Sequence, residues 1–111
     1  MTEAAEARMG ADLVDGAAWL QPLGSPEAGV RAARVRFAAG AATRWHQHEG
    51  GQDLTCVAGT AFVEERDGDT TFLAPGESTT SAAGIWHRHG ATESHGATHV
   101  SLSRGETVWL R

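Results

Sequence analysis

The sequence predicts an all-β fold of antiparallel strands, arranged as a sandwich or a barrel. Three observations predict it: short segments in which apolar and polar residues alternate, turn residues between those segments, and no convincing amphipathic helix. A chain of 111 residues has room for a single hydrophobic core. We therefore expect one domain, with no separate cofactor-binding domain.

The strands are predicted in order along the chain, beginning after an N-terminal arm. For the arm, residues 1–18, three interpretations stay open: a helical turn, a segment that adds to a partner's sheet, or disorder. The barrel domain is assigned to residues 19–111. Its predicted strands cover residues 29–38, 42–48, 52–57, 60–65, 70–73, 77–81, 85–89, 97–102 and 107–110.

The breaks between these strands carry residues that turn a chain sharply. Asp67-Gly68 predicts a hairpin between residues 60–65 and 70–73, and Pro75-Gly76 marks the next turn. Gly50-Gly51 lies between residues 42–48 and 52–57, so the later strand can return beside the earlier one. Many short strands separated in this way are typical of a sandwich or barrel.

Four side chains in this framework have the types and spacing of a metal site. His46 and His48 are two residues apart, so on one strand they point to the same face. Gln52 returns to that point after the glycine turn, and His87 comes from a distant strand. Three imidazoles and one amide oxygen are neutral ligands for a divalent transition metal and leave the ion its full positive charge. This pattern favours a Lewis-acid centre over a closed structural site.

Composition and charge exclude several classes of function. A formal charge of −5 with scattered arginines argues against nucleic acid as a partner. The first residues contain no long apolar run, so we expect neither a signal peptide nor a membrane span, and we expect a cytoplasmic protein. The single cysteine, Cys56, excludes an intrachain disulfide. A small uncharged or anionic substrate at a local cation fits this composition.

The glycine and histidine spacing resembles the cupin superfamily. Gly40-x5-His46-x-His48-x3-Gln52-x6-Gly59 has the spacing of the first cupin motif, and Gly76-x5-Ala82-x-Gly84-x2-His87-x3-Ala91 that of the second. The sequence departs from the usual pattern at Gln52, Ala82 and Ala91. The resemblance implies a double-stranded β-helix, the jelly-roll barrel of cupins, with the metal inside its mouth.

A narrower resemblance is to single-domain bacterial cupins that include manganese-dependent hydroxynitrile lyases. It is carried by Thr43-Arg44-Trp45-His46-x-His48-x3-Gln52, then by His87-Arg88-His89-Gly90-Ala91-Thr92 and Thr98-His99. It implies that His46, His48, Gln52 and His87 bind the metal, and that His89 and His99 line the pocket as candidate acid/base residues. Thr43 matches a pocket threonine, whereas Arg44 and Ser103 depart from the group. Manganese is the ion that the resemblance favours; iron, zinc, nickel and copper also suit this ligand set.

Strand alternation places further residues. Cys56 lies in register with Gln52 and Leu54, so it is expected to face inward, and we assign it to the substrate pocket with Thr43 and Arg44. Arg44 is interpreted either as a surface charge or as a rim residue that attracts an anionic substrate. The core is expected to hold three phenylalanines, namely Phe37, Phe62 and Phe72.

The resemblance and the sheet edges of a small β-fold also predict a homodimer, in which the terminal segments of Trp19 and Trp109 form the interface. Three functions stay open. The first is a metal-dependent lyase of hydroxynitrile or aldol type, the second a metallo-cupin oxygenase or a polyketide-type cyclase or isomerase, and the third a non-catalytic binding module. Because the chain has no tyrosine, cupin chemistries that need a tyrosine base or a Cys-Tyr crosslink are excluded.

Overall fold

The chain folds into strands throughout the part that a computed structural model describes, residues 5–110, which confirms the all-β prediction. The thirteen strands in this range are β1 (Ala7–Arg8), β2 (Val14–Asp15), β3 (Ala18–Glu27), β4 (Val30–Phe37), β5 (Ala42–Thr43), β6 (His46–His48), β7 (Gln52–Gly59), β8 (Ala61–Glu65), β9 (Thr70–Leu73), β10 (Ser78–Ser81), β11 (His87–Ala91), β12 (Ala97–Arg104) and β13 (Thr107–Trp109). Within residues 5–110 there is no helix of the length and apolarity that crossing a membrane requires.

The strands form two antiparallel sheets of a jelly-roll barrel. The first sheet has the order β1-β3-β4-β12-β7-β10. The second has the order β13-β6-β11-β5-β2, and β8 joins it through β11 and carries β9. Neighbours that are distant in sequence, such as β4 and β12, bring residues from both halves of the chain to one inner face.

That inner face is apolar at one end and polar at the other. On β7 the side chains of Leu54 and Cys56 are buried, and the register places Cys56 opposite His99 of β12. Phe37 closes the apolar end, with its ring 5.2 Å from that of His99. At the other end Gln52 lies opposite a buried serine on β12. Because alternation points these residues inward on every strand, the core and a polar cavity share one barrel.

Two strand predictions need correction. Residues 42–48 were expected to form one strand, but the chain breaks at Arg44 and Trp45, so that β5 pairs with β2 while β6 pairs with β13. The longest strand, β3, was not predicted because its prolines and glycine are typical of loops. Pro22 is tolerated there because β1 pairs only with Trp19 and Leu20, which leaves the rest of β3 at the sheet edge.

Two of the three phenylalanines predicted in the core lie outside it. Phe72 is 62% exposed, because β9 pairs with β8 alone and lies at the edge of its sheet. Phe62 is half-buried, with the Arg88 guanidinium 5.8 Å from its ring. Phe37 is the phenylalanine that packs into the core.

The N-terminal segment adds strands to the barrel of its own chain over its described part. Ala7 and Arg8 pair with β3, and Val14 and Asp15 pair with β5. Residues 1–4 lie outside the described residues. The division of the chain at residue 18 stays a prediction.

Candidate metal centre and pocket

Five histidine side chains gather inside the barrel, and all five are buried. The ring of His46 lies 4.5 Å from that of His87 and 5.0 Å from that of His48. The rings of His89 and His99 are 4.8 Å apart. Strand pairing explains the cluster, since β11 places His87 directly opposite His46 of β6, and alternation brings His89 to the same face.

Burial keeps these imidazoles uncharged at neutral pH. Loss of solvation, together with the neighbouring His87, lowers the pKa of His46 to about 3. Burial lowers the pKa of His48 to about 4 and that of His99 to about 4. The pKa of His87 is lowered and that of His89 is well below 6.5, in both cases mainly because of burial. Neutral imidazoles have a free ring lone pair, which is the form that binds metals.

Hydrogen bonds at Nδ1 orient the three histidines that were predicted as ligands. Nδ1–H of His46 donates to the carbonyl of Arg44 at 2.8 Å, and that of His87 to the carbonyl of Ile85 at 3.0 Å. A carbonyl only accepts, so in both rings Nε2 holds the lone pair. Nδ1 of His48 lies 3.0 Å from the Thr107 hydroxyl, and its buried Nε2 has no hydrogen-bond partner among the described residues. These three rings thus turn Nε2 away from the Nδ1 partners and toward the interior of the barrel.

The Gln52 amide completes the predicted set. Its Nε2 donates to the hydroxyl of Ser103 at 2.9 Å, which turns Oε1 toward Nε2 of His87 at 3.0 Å. Both facing atoms are acceptors, so no hydrogen lies between them. A cation beside such a pair would relieve their repulsion, and three imidazoles with an amide oxygen suit a divalent transition metal. The residues present therefore fit the metal that the sequence predicts.

His89 lies closer to this centre than the sequence indicated. One ring nitrogen each from His46, His87 and His89 fall within 4.8 Å of one another, so these three buried histidines could also hold a metal ion. Nε2 of His89 is 3.3 Å from Nε2 of His46, and its Nδ1 is 2.9 Å from Nε2 of His99. Thus His89 stands between the candidate ligands and His99.

Three histidines of the cluster, His46, His48 and His89, line a pocket of about 340 Å³. His89 and Thr43 line it, and the Thr43 hydroxyl accepts a hydrogen bond from the backbone N–H of His89 at 3.1 Å. His99 does not line the pocket, so it can act on a bound molecule only through His89. The walls are mostly apolar and include Met9, Leu20, Pro22, Leu23, Pro26, Ala32, Ala33, Val35 and Trp109.

Two residues assigned to the pocket lie elsewhere. Arg44 is exposed, with a guanidinium nitrogen 3.2 Å from a carboxylate oxygen of Asp15, because the break between β5 and β6 turns it outward. Cys56 is fully buried in the apolar core, and its thiol donates to the carbonyl of Ala58 at 3.4 Å. It faces inward as predicted but lies deeper along β7 than the cavity reaches.

Trp109 and Arg31 line the pocket, although neither of them was predicted there from the sequence. Strand β13 pairs Trp109 with His46, and the Trp109 ring lies 4.5 Å from that imidazole at an angle of 34°. Its expected role in a dimer interface stays a prediction. Arg31 lines the pocket from β4. Alternation along β4 indicates this position from sequence, because Arg31 lies an even number of residues from the inward-facing Ala33 and Val35.

Comparison with known proteins places these features in a family. A family model described as the cupin domain matches residues 33–103. An (R)-mandelonitrile lyase from Granulicella tundricola is 34% identical over 73 residues, which are 66% of this chain and 56% of that protein. This chain thus spans little more than half the length of that relative.

Solved structures agree on the fold. A cupin-like protein from Thermotoga maritima superposes with a TM-score of 0.88 at 27% identity, covering 99% of this chain and 86% of that one. An acetylacetone dioxygenase from Acinetobacter johnsonii superposes with a TM-score of 0.79 at 18% identity, covering 96% of this chain and 72% of that one. The second similarity bears on the fold alone.

Proposed function

The chain belongs to the cupin family, and from that premise we propose that it is a metal-dependent lyase that cleaves or forms a hydroxynitrile or an aldol-type carbon–carbon bond. The observation that carries the proposal is the position of His89. It is a neutral base that lines the pocket, with its Nε2 3.3 Å from the corresponding atom of a candidate metal ligand. The similarity to a mandelonitrile lyase supports the same reaction class.

The ligands we assign are His46, His48, Gln52 and His87, with manganese as the first choice of ion. When bound, the ion would supply Lewis-acid polarisation of a substrate oxygen. Because all four ligands are neutral, none of them would compensate its positive charge.

The protein's own contribution is to hold and move a proton. With its proton on Nδ1, donated to Nε2 of His99, the His89 ring has its lone pair on Nε2. In cleavage of a cyanohydrin this Nε2 takes the hydroxyl proton, the bond to the cyanide carbon breaks, and its electron pair leaves with cyanide as the aldehyde forms. The proton then passes to cyanide. The pKa of His89 lies well below 6.5 because of burial, so the imidazole is free to accept at neutral pH. His99, 2.9 Å behind it, is a positioning residue that orients the ring.

The proposal is tested with mandelonitrile as the substrate and with metal content measured by elemental analysis. We expect His46→Ala to lose both bound metal and turnover. We expect His89→Gln to keep the metal and to lose about 10²–10⁴-fold in rate, the range of general acid–base catalysis. Turnover in His89→Gln equal to that of the unmodified protein would refute the assignment of the base.

The same preparations separate the other candidate functions. Oxygen uptake with an enolisable diketone and a redox-active metal, without mandelonitrile cleavage, would replace the lyase by an oxygenase. Activity on a phenolic or polyketide substrate with zinc would favour a cyclase. Tight ligand binding without turnover on any of these substrates would leave a binding module.

We also propose a homodimer in the cytoplasm. Support for the dimer comes from the free edge of the first sheet, where β10 pairs with β7 alone within residues 5–110. An unpaired strand edge of this kind can be covered by a second chain. Sedimentation at micromolar concentration is expected to give twice the chain mass, and a monomer there would contradict the proposal.

A further inference from the structure

Arg31 is the one charged side chain that lines the pocket over residues 5–110. It lies on β4 together with Arg34 and Arg36, which are exposed on the outer face. Alternation along the strand explains the difference, because Arg31 has the inward parity of Val35. Its side chain is half-buried and lines the cavity.

The Arg31 guanidinium is connected to His48 of the histidine cluster through the Thr107 hydroxyl. Its Nη2 donates to the Thr107 hydroxyl at 3.2 Å, and the same oxygen lies 3.0 Å from Nδ1 of His48. The strand register sets Arg31 opposite Ser103, whose hydroxyl receives the amide hydrogen bond of Gln52. A group bound to this guanidinium would therefore lie beside the proposed metal ligands.

No carboxylate of the described chain neutralises this arginine. Four other arginines form ion pairs with carboxylates, namely Arg36, Arg44, Arg88 and Arg104. Arg31 has no such partner within residues 5–110, and no aspartate or glutamate lines the pocket. A guanidinium presents donors in a fork that matches a carboxylate, and an apolar surround strengthens such a pair.

We infer that the substrate carries a carboxylate that Arg31 binds, so that the pocket takes a small oxo or hydroxy acid. The oxo or hydroxyl oxygen would face the histidines, and the apolar body would pack against Leu20, Pro22 and Leu23. A pocket of about 340 Å³ is at the small end for ligand sites and suits an acid with one ring or a short chain. This inference rests on the proposed function, because it names the substrate class of that pocket.

The test compares phenylglyoxylate with its primary amide, which has a similar shape without the negative charge. Affinities for metal-loaded protein are measured by titration calorimetry. We expect the unmodified protein to prefer the acid, and Arg31→Gln to reduce that preference about 10- to 100-fold, the value of a charge-assisted hydrogen bond. Arg31→Lys keeps the charge without the fork and is expected to retain part of the preference.

Arg34→Gln is the matched control, since it removes the same charge from the same strand on the outer face. It is expected to keep the full preference for the acid. The inference is overturned if the unmodified protein shows no preference, if Arg31→Gln keeps it, or if Arg34→Gln loses it equally. Mandelonitrile cleavage by the unmodified protein reports on the proposed lyase separately, so a failure of the carboxylate assignment can be told from a failure of the proposed function.

Discussion

The hydroxyl of Thr107 lies 3.0 Å from Nδ1 of His48, and the same oxygen accepts a hydrogen bond from Arg31 at 3.2 Å. A hydroxyl oxygen has two lone pairs, so it can accept from both donors at once. In that arrangement the His48 proton is held on Nδ1 and the lone pair on Nε2 faces the cavity. Residues that fix a ligand's tautomer in this way tune metal affinity.

We therefore predict that Thr107→Val weakens metal binding about 10- to 100-fold, because His48 loses the acceptor that orients it. Thr107→Ser keeps the hydroxyl and should bind metal as the unmodified protein does. Competition with a chromophoric chelator measures both affinities. Equal affinity in Thr107→Val would show that the hydroxyl does not orient this ligand.

The lowered histidine pKa values predict how the stability of the metal-free protein depends on pH. The pKa is about 3 for His46 and about 4 for His48 and His99, against 6.5 in an unfolded chain. Between those values the unfolded chain binds more protons than the folded one. Stability should be fully present above pH 6.5 and should fall as pH drops toward 4, by roughly 3 kcal/mol for a single group shifted from 6.5 to 4.

Urea unfolding in the presence of a chelator, repeated from pH 7.5 to 4, measures how the free energy of unfolding changes with pH. His95 is exposed, so His95→Gln should leave the profile unchanged. A free energy of unfolding that stays constant over this range would mean that the buried histidines take up protons in the folded state.

The histidines of β6 and the preceding Arg44 show what residue alternation can and cannot establish about the direction of a side chain. His46 and His48 lie on one unbroken strand, so a period of two places them correctly on a common face. Arg44 is also an even number of residues from His46 and His48, but it lies between β5 and β6. Alternation does not predict the direction of a side chain where the strand is interrupted. Such a break depends on pairing with β2 and β13, which are distant in sequence.

Depth along a strand is equally hidden from the sequence. Cys56 and Gln52 share one face of β7, yet Gln52 borders the pocket while Cys56 lies among Phe37, Val35 and their neighbours in the core. Which end of the barrel is filled depends on side chains from other strands. Trp109 illustrates the same limit, because only the pairing of β13 with β6 reveals that it covers a histidine.

The position of Cys56 in the core predicts an unreactive thiol. It is fully buried and free of any disulfide. We expect Ellman's reagent to modify no cysteine in the folded protein and one per chain in denaturant, because the thiolate must be exposed to react. Cys56→Ala should leave substrate affinity unchanged. If the native protein were labelled rapidly, and a pocket ligand prevented that labelling, Cys56 would line the pocket after all.

Gly90 provides a stability test of the contact between β11 and β5. It pairs with Ala42, and a Cβ added to it would overlap the carbonyl oxygen of Ala41 and lie 2.7 Å from the Cα of Ala42. These are backbone atoms in β5 and directly before it, so the clash can be relieved only by separating this segment from β11, which also carries His87 and His89. We predict that Gly90→Ala lowers the free energy of unfolding by about 1–3 kcal/mol or more and weakens metal binding.

Gly68→Ala is the control for that substitution. Gly68 lies in a hairpin turn where the nearest atoms to an added Cβ belong to the Glu65 side chain at 3.6 Å, an ordinary contact. The free energy of unfolding of Gly68→Ala should stay within about 0.5 kcal/mol of that of the unmodified protein. Urea unfolding measures both variants. If Gly90→Ala were as stable as Gly68→Ala, the close approach of these two strands, and with it the placement of the histidines of β11, would be incorrect.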